Sequence, residues 1–289
     1  MAANSNFKIR TASPTRPDAP DQFARFDRDG FLIFESVLSP DALSRIRDSI
    51  APLMDATPVA WSDCDGVRTR RISALFAQSP VFSELATHPL VLRYVEDELG
   101  DSALLSSCVA TEMQPDEIGY GWRHDDAHID IPRPRASYGV TVVWALDDMH
   151  ADSGAIELIP ESHWWCGEHP EDTLSTRGLA DQHAADTEQE RGVHPASVSV
   201  IMPAGSMLVM KGALWHRAGV NQTGRPQLSI NSQYCPGWGR QRENPFLAMS
   251  LEDIARLSPR AQALMGYLVH PPCLGCVDGR HPKTALMSS

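Results

Sequence analysis

The stretch Trp122-Arg123-His124-Asp125-Asp126-Ala127-His128 places two histidines beside two adjacent carboxylates. In an extended strand alternate side chains point to one face, so we expect His124 and Asp126 to point the same way. His128 shares that face, but at the rise of a strand it lies about 13 Å from His124. The stretch therefore predicts a metal site in which His124 and Asp126 are two ligands and the third comes from a distant part of the chain.

The predicted third ligand is His216, within the segment 205–221. A short apolar run predicts a strand, and a glycine-containing turn leads from it to this histidine. Together with His124 and Asp126 it forms the 2-His-1-carboxylate set, which binds Fe(II) and leaves coordination positions open. Asp125 is an alternative carboxylate, although alternation points it to the opposite face. The alternative histidines lie in a predicted turn or in or beside a polar insertion: His150, His163, His169, His183 and His194.

A distant arginine is the predicted anchor for an acidic ligand. Arg225 lies nine residues beyond His216 and opens the run 226–234, which predicts another strand. In a pocket of low dielectric constant an arginine binds a carboxylate through two parallel hydrogen bonds. Arg217 is the competing arginine, but it directly follows His216 and should point away from the site.

Taken in order, these pieces resemble the phytanoyl-CoA dioxygenase family. The resemblance lies in the H-x-D of His124 and Asp126, in the run D-D-M-H-A-D-S-G-A-I-E-L-I-P-E-S-H at 147–163, and in W-H-R-A-G-V-N at 215–221 followed by Arg225. It spans roughly residues 23–234. It implies an Fe(II)- and 2-oxoglutarate-dependent enzyme that uses O2, oxidises a C–H bond and releases succinate and CO2.

The resemblance also assigns roles to the motif residues. It implies that His124, Asp126 and His216 bind the iron and act in catalysis, and that Arg225 holds the far carboxylate of 2-oxoglutarate. Related halogenases replace the ligand carboxylate with a small residue. Because Asp126 is present, the resemblance favours hydroxylation, desaturation, epoxidation or rearrangement.

Three further residues are candidates for binding the cosubstrate. Trp144 matches the position where family members place a tryptophan beside 2-oxoglutarate, and core packing is the alternative role. Many members carry a glutamine two residues before the first ligand, where this chain has Trp122. We expect Gln114 or Thr141 to take the place of that glutamine.

The substrate is expected to be an apolar small molecule, because aromatic and apolar side chains lie near the motifs. The predicted substrate-binding residues are Tyr120, Trp122, His128 and Met210. The run Pro132-Arg133-Pro134 after the first ligands resembles the natural-product branch of the family, and no basic cluster is evident that would bind the nucleotide of an acyl-CoA. The alternatives are an acyl-CoA hydroxylase, a metal-binding jelly roll without 2-oxoglutarate turnover, and a non-catalytic subunit.

Bulk properties limit the partners. The chain has 289 residues and a net charge of −12, which argues against binding to nucleic-acid phosphates. No apolar run approaches the roughly 20 residues that span a bilayer, and the N-terminus lacks the core of a secretory signal. The six scattered cysteines fit a reducing compartment, so a cytoplasmic protein is expected. The oligomeric state is left open between a monomer and a homodimer.

The hydrophobic pattern predicts one mainly β domain with flanking helices, a double-stranded β-helix or jelly roll of the cupin type. Helices are predicted at 21–28, 40–54 and 258–268, with two more in 80–100 that are separated near His88-Pro89. Strands are predicted at 31–37, 104–113, 138–146, 155–159, 198–202, 207–210 and 227–234.

The domain is predicted to have four regions. These are a disordered tail at 1–18, a helical buttress at 19–100, a jelly-roll core at 101–235, and a C-terminal helix and lid at 236–289. A polar insertion occupies 166–195. In the lid, His270, Cys273, Cys276 and His281 form either an ordinary loop, the favoured interpretation, or a zinc site.

Overall fold

The computed structural model describes residues 15, 21–59, 68–117, 119, 121–168, 170 and 194–287. Most of the predicted tail and most of the polar insertion lie outside these residues, as do Cys64 and Tyr120. Within them, helices pack on one side of the larger of two antiparallel sheets. None of the described helices is long and apolar enough to cross a bilayer.

The helices begin and end where local chemistry requires. Gly30 ends the first helix because its φ of 83° lies in the left-handed region that glycine adopts without strain. The Ser39 hydroxyl accepts a hydrogen bond from Ala42 N and starts the second helix, with Pro40 in its first turn. The helices are α1 (Gln22–Asp29), α2 (Pro40–Ala56), α3 (Pro80–Ala86), α4 (Pro89–Leu99), α5 (Pro245–Ala248), α6 (Leu251–Ala255) and α7 (Pro259–Leu264).

The strands form a six-stranded and a three-stranded sheet. In chain order they are β1 (Phe31–Phe34), β2 (Thr69–Ile72), β3 (Leu104–Met113), β4 (Val140–Ala145), β5 (Ile156–Leu158), β6 (Val198–Ser199), β7 (Met207–Lys211), β8 (His216–Ala218) and β9 (Gln227–Cys235). The large sheet has the order β1-β7-β4-β9-β3-β2, and the small sheet has the order β6-β5-β8. Two facing antiparallel sheets with helices outside confirm the predicted jelly-roll class.

The outer face of the large sheet packs against the helices. Val142, Trp144 and Val209 lie on this face and join one core with Phe82 and Tyr94 of the helical layer. Trp144 is fully buried, and its ring meets His88 edge-on at 5.5 Å between ring centroids. The helical buttress therefore covers the outer face of the sheet and leaves the inner face to line the barrel.

The inner face divides into two halves. What we call the dry half consists of Ile33, Val143, Leu208 and Met210 on β1, β4 and β7, which pack against the small sheet. What we call the polar half lies on β2, β3 and β9 and shares the same rungs of the sheet. It consists of Arg71, Ser107, Thr111, Ser229, Asn231 and Gln233.

Most predicted elements match those observed, and their ends differ by a few residues. The strand predicted at 104–113 coincides with β3, whereas those at 138–146 and 198–202 are shorter. The strands β2 and β8 and the helices α5 and α6 were not predicted from the sequence. The helix α7 ends at Leu264, before the predicted 268.

Candidate metal and cosubstrate site

The segment that carries the first two ligand candidates is not a strand. Arg123 pairs with His216 in an isolated antiparallel bridge, and the backbone then turns, with Ala127 N donating to His124 O at 3.3 Å. Asp126 N donates to Gly212 O at 3.1 Å, which docks the turn on the end of β7. The expected extended backbone is therefore wrong for this segment, because a tight turn replaces it after Arg123.

The turn nevertheless brings His124 and Asp126 together. His124 Nδ1 lies 2.8 Å from Asp126 Oδ1, and the other carboxylate oxygen accepts from Arg135 at 2.7 Å and from Tyr138 N at 3.3 Å. The Asp126 side chain is only 1% exposed. Burial alone would raise its pKa, but the hydrogen bonds from His124 and Arg135 hold the pKa well below the usual range. Asp126 is therefore a carboxylate at neutral pH.

His216 reaches the same region from the small sheet. His216 stands opposite Leu158 in the small sheet, and Leu158 packs against the dry half. The imidazole of His216 therefore faces the barrel interior. Its Nδ1 donates to Leu214 O at 2.9 Å, which leaves the lone pair of Nε2 available. Burial lowers the pKa of His216 despite the opposing charge of Asp125. A neutral buried imidazole with its Nε2 free is suited to bind a metal ion.

Asp125 lies on the His216 side of the site. Its Oδ1 is 3.6 Å from His216 Nε2, and its Oδ2 accepts from the Thr141 hydroxyl at 2.6 Å. Burial raises its pKa, but the charge of Arg123 and the Thr141 hydrogen bond bring the pKa below the ordinary value. The expectation that Asp125 points away from the site was wrong, because it assumed the strand that the turn replaces.

The four candidate ligands thus form two histidine–carboxylate pairs. One pair is His124 with Asp126, and the other is His216 with Asp125. Across the described part of the chain, no three imidazole, thiol or carboxylate groups converge on one point as a closed metal site. The two pairs lie near enough for the charge of His124 to act on His216. Closing them around one ion requires side chains to move.

The inner face of the barrel continues from these pairs into the polar half. Thr141 is the link, because it bonds Asp125 and stands opposite Gln233 of β9. The buried hydroxyl of Thr111 has no hydrogen-bond partner within the described residues. Arg71 stands opposite Thr111 on the edge strand β2 and shares its face. The interior therefore carries a cation and an unpaired hydroxyl where an acidic molecule could bind.

Of the four predicted cosubstrate residues, only Thr141 lies beside the ligand pairs. Arg225 is exposed and precedes β9 at the end away from Gln233, about 20 Å along the strand. Trp144 points into the helical core, as described above. Gln114 follows β3 and donates to Glu112 on the edge of the sheet. The expectation that Arg225, Trp144 and Gln114 face the site does not match these placements.

Two of the predicted substrate residues lie near the site and one does not. Met210 is buried on the inner face directly opposite Thr141. Trp122 is buried beside Trp215, whose ring meets His124 at 4.8 Å between centroids. His128 is exposed on the turn, and Tyr120 lies outside the described residues.

Arg217 behaves as the sequence predicted, since it points away from His216. It pairs with Glu157 at 2.7 Å and lies over the ring of Trp122. Arg71 and Arg135 were not predicted as site residues. Arg71 lies in a short polar strand without an apolar pattern, and Arg135 follows the Pro132-Arg133-Pro134 run, whose spacing does not indicate a site.

Comparison with known proteins agrees with this arrangement. The sequence model described as "Phytanoyl-CoA dioxygenase (PhyH)" matches residues 26–228. The chain belongs to this family. It is a non-haem Fe(II)- and 2-oxoglutarate-dependent dioxygenase, with O2 as cosubstrate. This assignment favours an enzyme over the alternatives of a metal-binding jelly roll without turnover and a non-catalytic subunit.

Relatives of the dioxygenase occur in fungi and bacteria. The "Multifunctional dioxygenase ausE" of Aspergillus calidoustus is 29% identical over 279 residues, covering 88% of this chain and 85% of that protein. The "Uncharacterized protein Rv1501" of Mycobacterium tuberculosis is 24% identical over 246 residues, covering 82% of this chain and 83% of that protein.

Solved structures share the fold. HygX from Streptomyces hygroscopicus, with nickel, 2-oxoglutarate and hygromycin B bound, has a TM-score of 0.61 at 20% identity, covering 77% of this chain and 89% of that chain. The 2-oxoglutarate-dependent carbocyclase SnoK from nogalamycin biosynthesis has a TM-score of 0.59 at 17% identity, covering 78% and 87%.

The donors in the dioxygenase fit the metal that its family uses. His124 supplies one nitrogen donor, and the Asp126 carboxylate lies beside it, with Nδ1 and Oδ1 2.8 Å apart. The Nε2 of His216 supplies a second nitrogen donor. Imidazole nitrogens and a carboxylate oxygen are the donor set of non-haem Fe(II) sites with open positions.

Proposed function

We propose that the dioxygenase binds Fe(II) through His124, Asp126 and His216 and oxidises a C–H bond of an apolar small molecule of secondary metabolism. The observation that best supports this proposal is the hydrogen bond from His216 Nδ1 to Leu214 O at 2.9 Å. It fixes the ring so that Nε2 faces the barrel interior, where the other pair lies. A buried neutral histidine held in this tautomer is otherwise hard to explain beside two carboxylates.

Asp126 is preferred to Asp125 as the carboxylate ligand. Its Oδ1 lies 2.8 Å from His124 Nδ1, so the carboxylate is beside the first ligand histidine. Asp125 is held by Thr141 through its other oxygen, and its distance from His216 Nε2 is longer, at 3.6 Å. We therefore assign Asp125 the role of orienting His216 and of adding negative charge next to a divalent cation.

The polar half is the proposed binding site for 2-oxoglutarate, which we call the cradle. Its far carboxylate requires a cation, and the half-buried Arg71 provides one on the inner face, next to the Thr111 hydroxyl, which has no partner among the described residues. Arg71 is preferred to Arg225 because Arg225 is exposed and precedes β9. Arg123 is the competing cation, because it stands opposite His216 and acts on Asp125.

The bound metal and 2-oxoglutarate supply the oxidising chemistry, and the protein controls position and solvent. His124, Asp126 and His216 hold three positions and leave the rest for cosubstrate and O2. The dry half excludes water on one side of the barrel, and Met210 stands on the same rung as Thr141. An apolar substrate placed against this wall presents a C–H bond toward the ligand pairs.

A small molecule of secondary metabolism is the proposed substrate class, and the apolar wall of the dry half favours an apolar one. The named relative ausE is a fungal dioxygenase, and the bacterial structures with this fold are named for nogalamycin biosynthesis and for a complex with hygromycin B. The specific outcome is proposed to be hydroxylation, desaturation or rearrangement. An acyl-CoA hydroxylase is the alternative, and it predicts turnover of a CoA thioester that the apolar-substrate proposal does not.

The deciding experiment is an anaerobic titration of the Fe(II) protein with 2-oxoglutarate, followed by visible absorption. Chelation by 2-oxoglutarate produces a weak charge-transfer band, which we expect in the wild-type protein and in Arg225→Ala. The band should be absent in His216→Ala and should require much more 2-oxoglutarate in Arg71→Ala. A normal band in His216→Ala would overturn the ligand assignment, and a normal titration in Arg71→Ala with a defective Arg123→Ala would move the anchor to Arg123.

A further inference from the structure

Arg135 has a buried side chain whose N–H groups donate to the Asp126 carboxylate and to three backbone carbonyls. Its side chain is only 7% exposed. Nη1 donates to Asp126 Oδ2 at 2.7 Å, and Nη2 donates to Asp126 O at 3.3 Å. Nε donates to Ile131 O at 3.2 Å, and Nη1 also reaches Ala136 O at 3.2 Å. The guanidinium is thus fixed from several sides.

The same guanidinium lies over an aromatic ring that also contributes to the site. The Arg135 guanidinium carbon is 4.8 Å from the centre of the Tyr138 ring. The backbone N–H of Tyr138 donates to Asp126 Oδ2 at 3.3 Å, and its ring meets Trp238 edge-on. Arg135 and Tyr138 therefore hold the same carboxylate oxygen from two directions.

This arrangement leaves the two oxygens of Asp126 unequal. Oδ2 accepts two hydrogen bonds from Arg135 and Tyr138, whereas Oδ1 faces His124 Nδ1 alone. The Asp126 carboxylate cannot rotate to exchange its two oxygens without breaking the buried, charge-assisted hydrogen bond from Arg135. Asp125 is held instead by the Thr141 hydroxyl, which donates to its Oδ2.

We propose that Arg135 is a positioning residue that presents Asp126 to the metal through Oδ1 only. This inference rests on the proposed function, in which Asp126 is the ligand carboxylate. The guanidinium keeps Oδ2 occupied, sets the orientation of the carboxylate next to His124, and prevents it from binding an ion through both oxygens. One coordination position is thereby kept for cosubstrate or O2 instead of a second carboxylate oxygen.

A purely structural role is the competing explanation, since Arg135 also ties Ile131 and Ala136 to the turn. The two roles differ in what a conservative substitution should restore. Lysine can place one cationic donor on Oδ2 but cannot make the bonds to the backbone carbonyls as well. If Arg135 acts on the carboxylate, Arg135→Lys should recover metal binding even where thermal stability is not recovered.

The test uses Co(II) as a spectroscopic probe in the metal-free full chain. We expect Arg135→Gln to weaken Co(II) binding by roughly 10- to 100-fold, as for other hydrogen-bond partners of metal ligands, and to change the visible Co(II) spectrum. Arg135→Lys should recover most of the affinity. The matched control is Arg70→Gln, which breaks a pair with Glu112 at 2.9 Å that does not touch the site, and which should bind Co(II) normally.

The outcomes separate this inference from the proposed function. A folded Arg135→Gln variant with wild-type Co(II) affinity and spectrum would overturn the positioning role. If Arg135→Gln does not fold, Arg135→Lys decides: weak Co(II) binding with a native melting temperature would overturn it, whereas normal binding with reduced stability would support it. If Asp126→Ala itself binds Co(II) as wild type, the ligand assignment fails first.

Discussion

The dry half and the polar half of the inner face belong to one sheet and share its rungs, yet they have opposite characters. On one rung Leu208 and Val143 are fully buried, while Asn231 continues the same rung and is partly exposed. Both halves are antiparallel ladders, although β3 in the polar half has a register shift between Leu105 and Ser107. The dry half packs the barrel core, and the polar half presents polar side chains to the interior.

The largest effect is expected from His216→Ala. This substitution removes a proposed metal ligand and leaves the side chains of the dry half unchanged. We expect turnover to fall by more than the roughly 100-fold that losing a hydrogen-bond partner of a ligand costs. The melting temperature of the metal-free protein should change little. Steady-state turnover, iron content and calorimetry check this, and full iron occupancy in the variant would contradict it.

Arg71→Ala tests whether the polar half binds the cosubstrate. Removing the cation from its charge pair with 2-oxoglutarate should cost roughly 2–5 kcal/mol, which appears as a 2-oxoglutarate affinity weaker by about 30-fold or more. The free energy of unfolding should be nearly unchanged. Arg225→Ala is the control, because its exposed turn lies far from the site. Equal affinities in the two variants would count against the polar half as the cradle.

Leu208→Ala is the counterpart in the dry half. Leu208 is fully buried between the sheets, so its truncation should lower the free energy of unfolding by roughly 2–5 kcal/mol. Because it leaves the polar half intact, the folded variant should bind 2-oxoglutarate with native affinity. Chemical denaturation and binding measured below the transition check this. A large loss of affinity at native stability would show that the halves are not separable.

A pH titration tests an imidazole at the edge of the dry half. His163 Nε2 is paired with Asp27 O, its Nδ1 is buried without a partner, and burial lowers its pKa to about 4. The unfolded chain binds this proton from about pH 6.5 downward and the folded chain does not, so stability falls as the pH drops.

The expected loss at pH 4 is about 3 kcal/mol at 1.36 kcal/mol per pKa unit. His163→Gln keeps a donor for Asp27 O but does not titrate, so its stability should vary less between pH 7 and pH 4. Denaturation curves at several pH values check this. An identical slope in both proteins would assign the acid sensitivity to other groups.

The smallest effect is expected from Thr111→Val. The Thr111 hydroxyl is buried and unpaired, so replacing it with a methyl group should leave stability unchanged or raise it slightly. If the hydroxyl bonds the cosubstrate, affinity for 2-oxoglutarate should fall by roughly tenfold or less, about 0.5–1.5 kcal/mol. Isothermal titration and calorimetry measure the two effects. Loss of stability without loss of affinity would remove Thr111 from the cradle.

The sequence predicted the framework well because its signals are local. Ser39 and Pro40 mark the start of α2, and the ten residues of β3 were delimited correctly. It failed where tertiary contacts decide the conformation. The polar strand β2 has no hydrophobic alternation, and β8 is three residues long, so only pairing with neighbours makes them strands.

The site shows the same limit. The order of His124, Asp126 and His216 in the sequence was informative, but the turn that places Asp125 beside His216 was not foreseeable from alternation. Every residue of β4 is buried, so its pattern could not tell that Trp144 faces the helices and Thr141 the interior. The spacing of Arg225 after His216 likewise did not say which end of the barrel it would occupy.

The inward-facing arginines have a kinetic consequence. The chain as a whole carries a net charge of −12, so its long-range field repels a dianion such as 2-oxoglutarate. Arg71 and Arg123 attract it only at short range, because salt screens charges beyond about 8–10 Å under physiological conditions. Added salt should therefore speed the association of 2-oxoglutarate by weakening the repulsion, while its escape, governed by contacts inside the barrel, should depend much less on ionic strength.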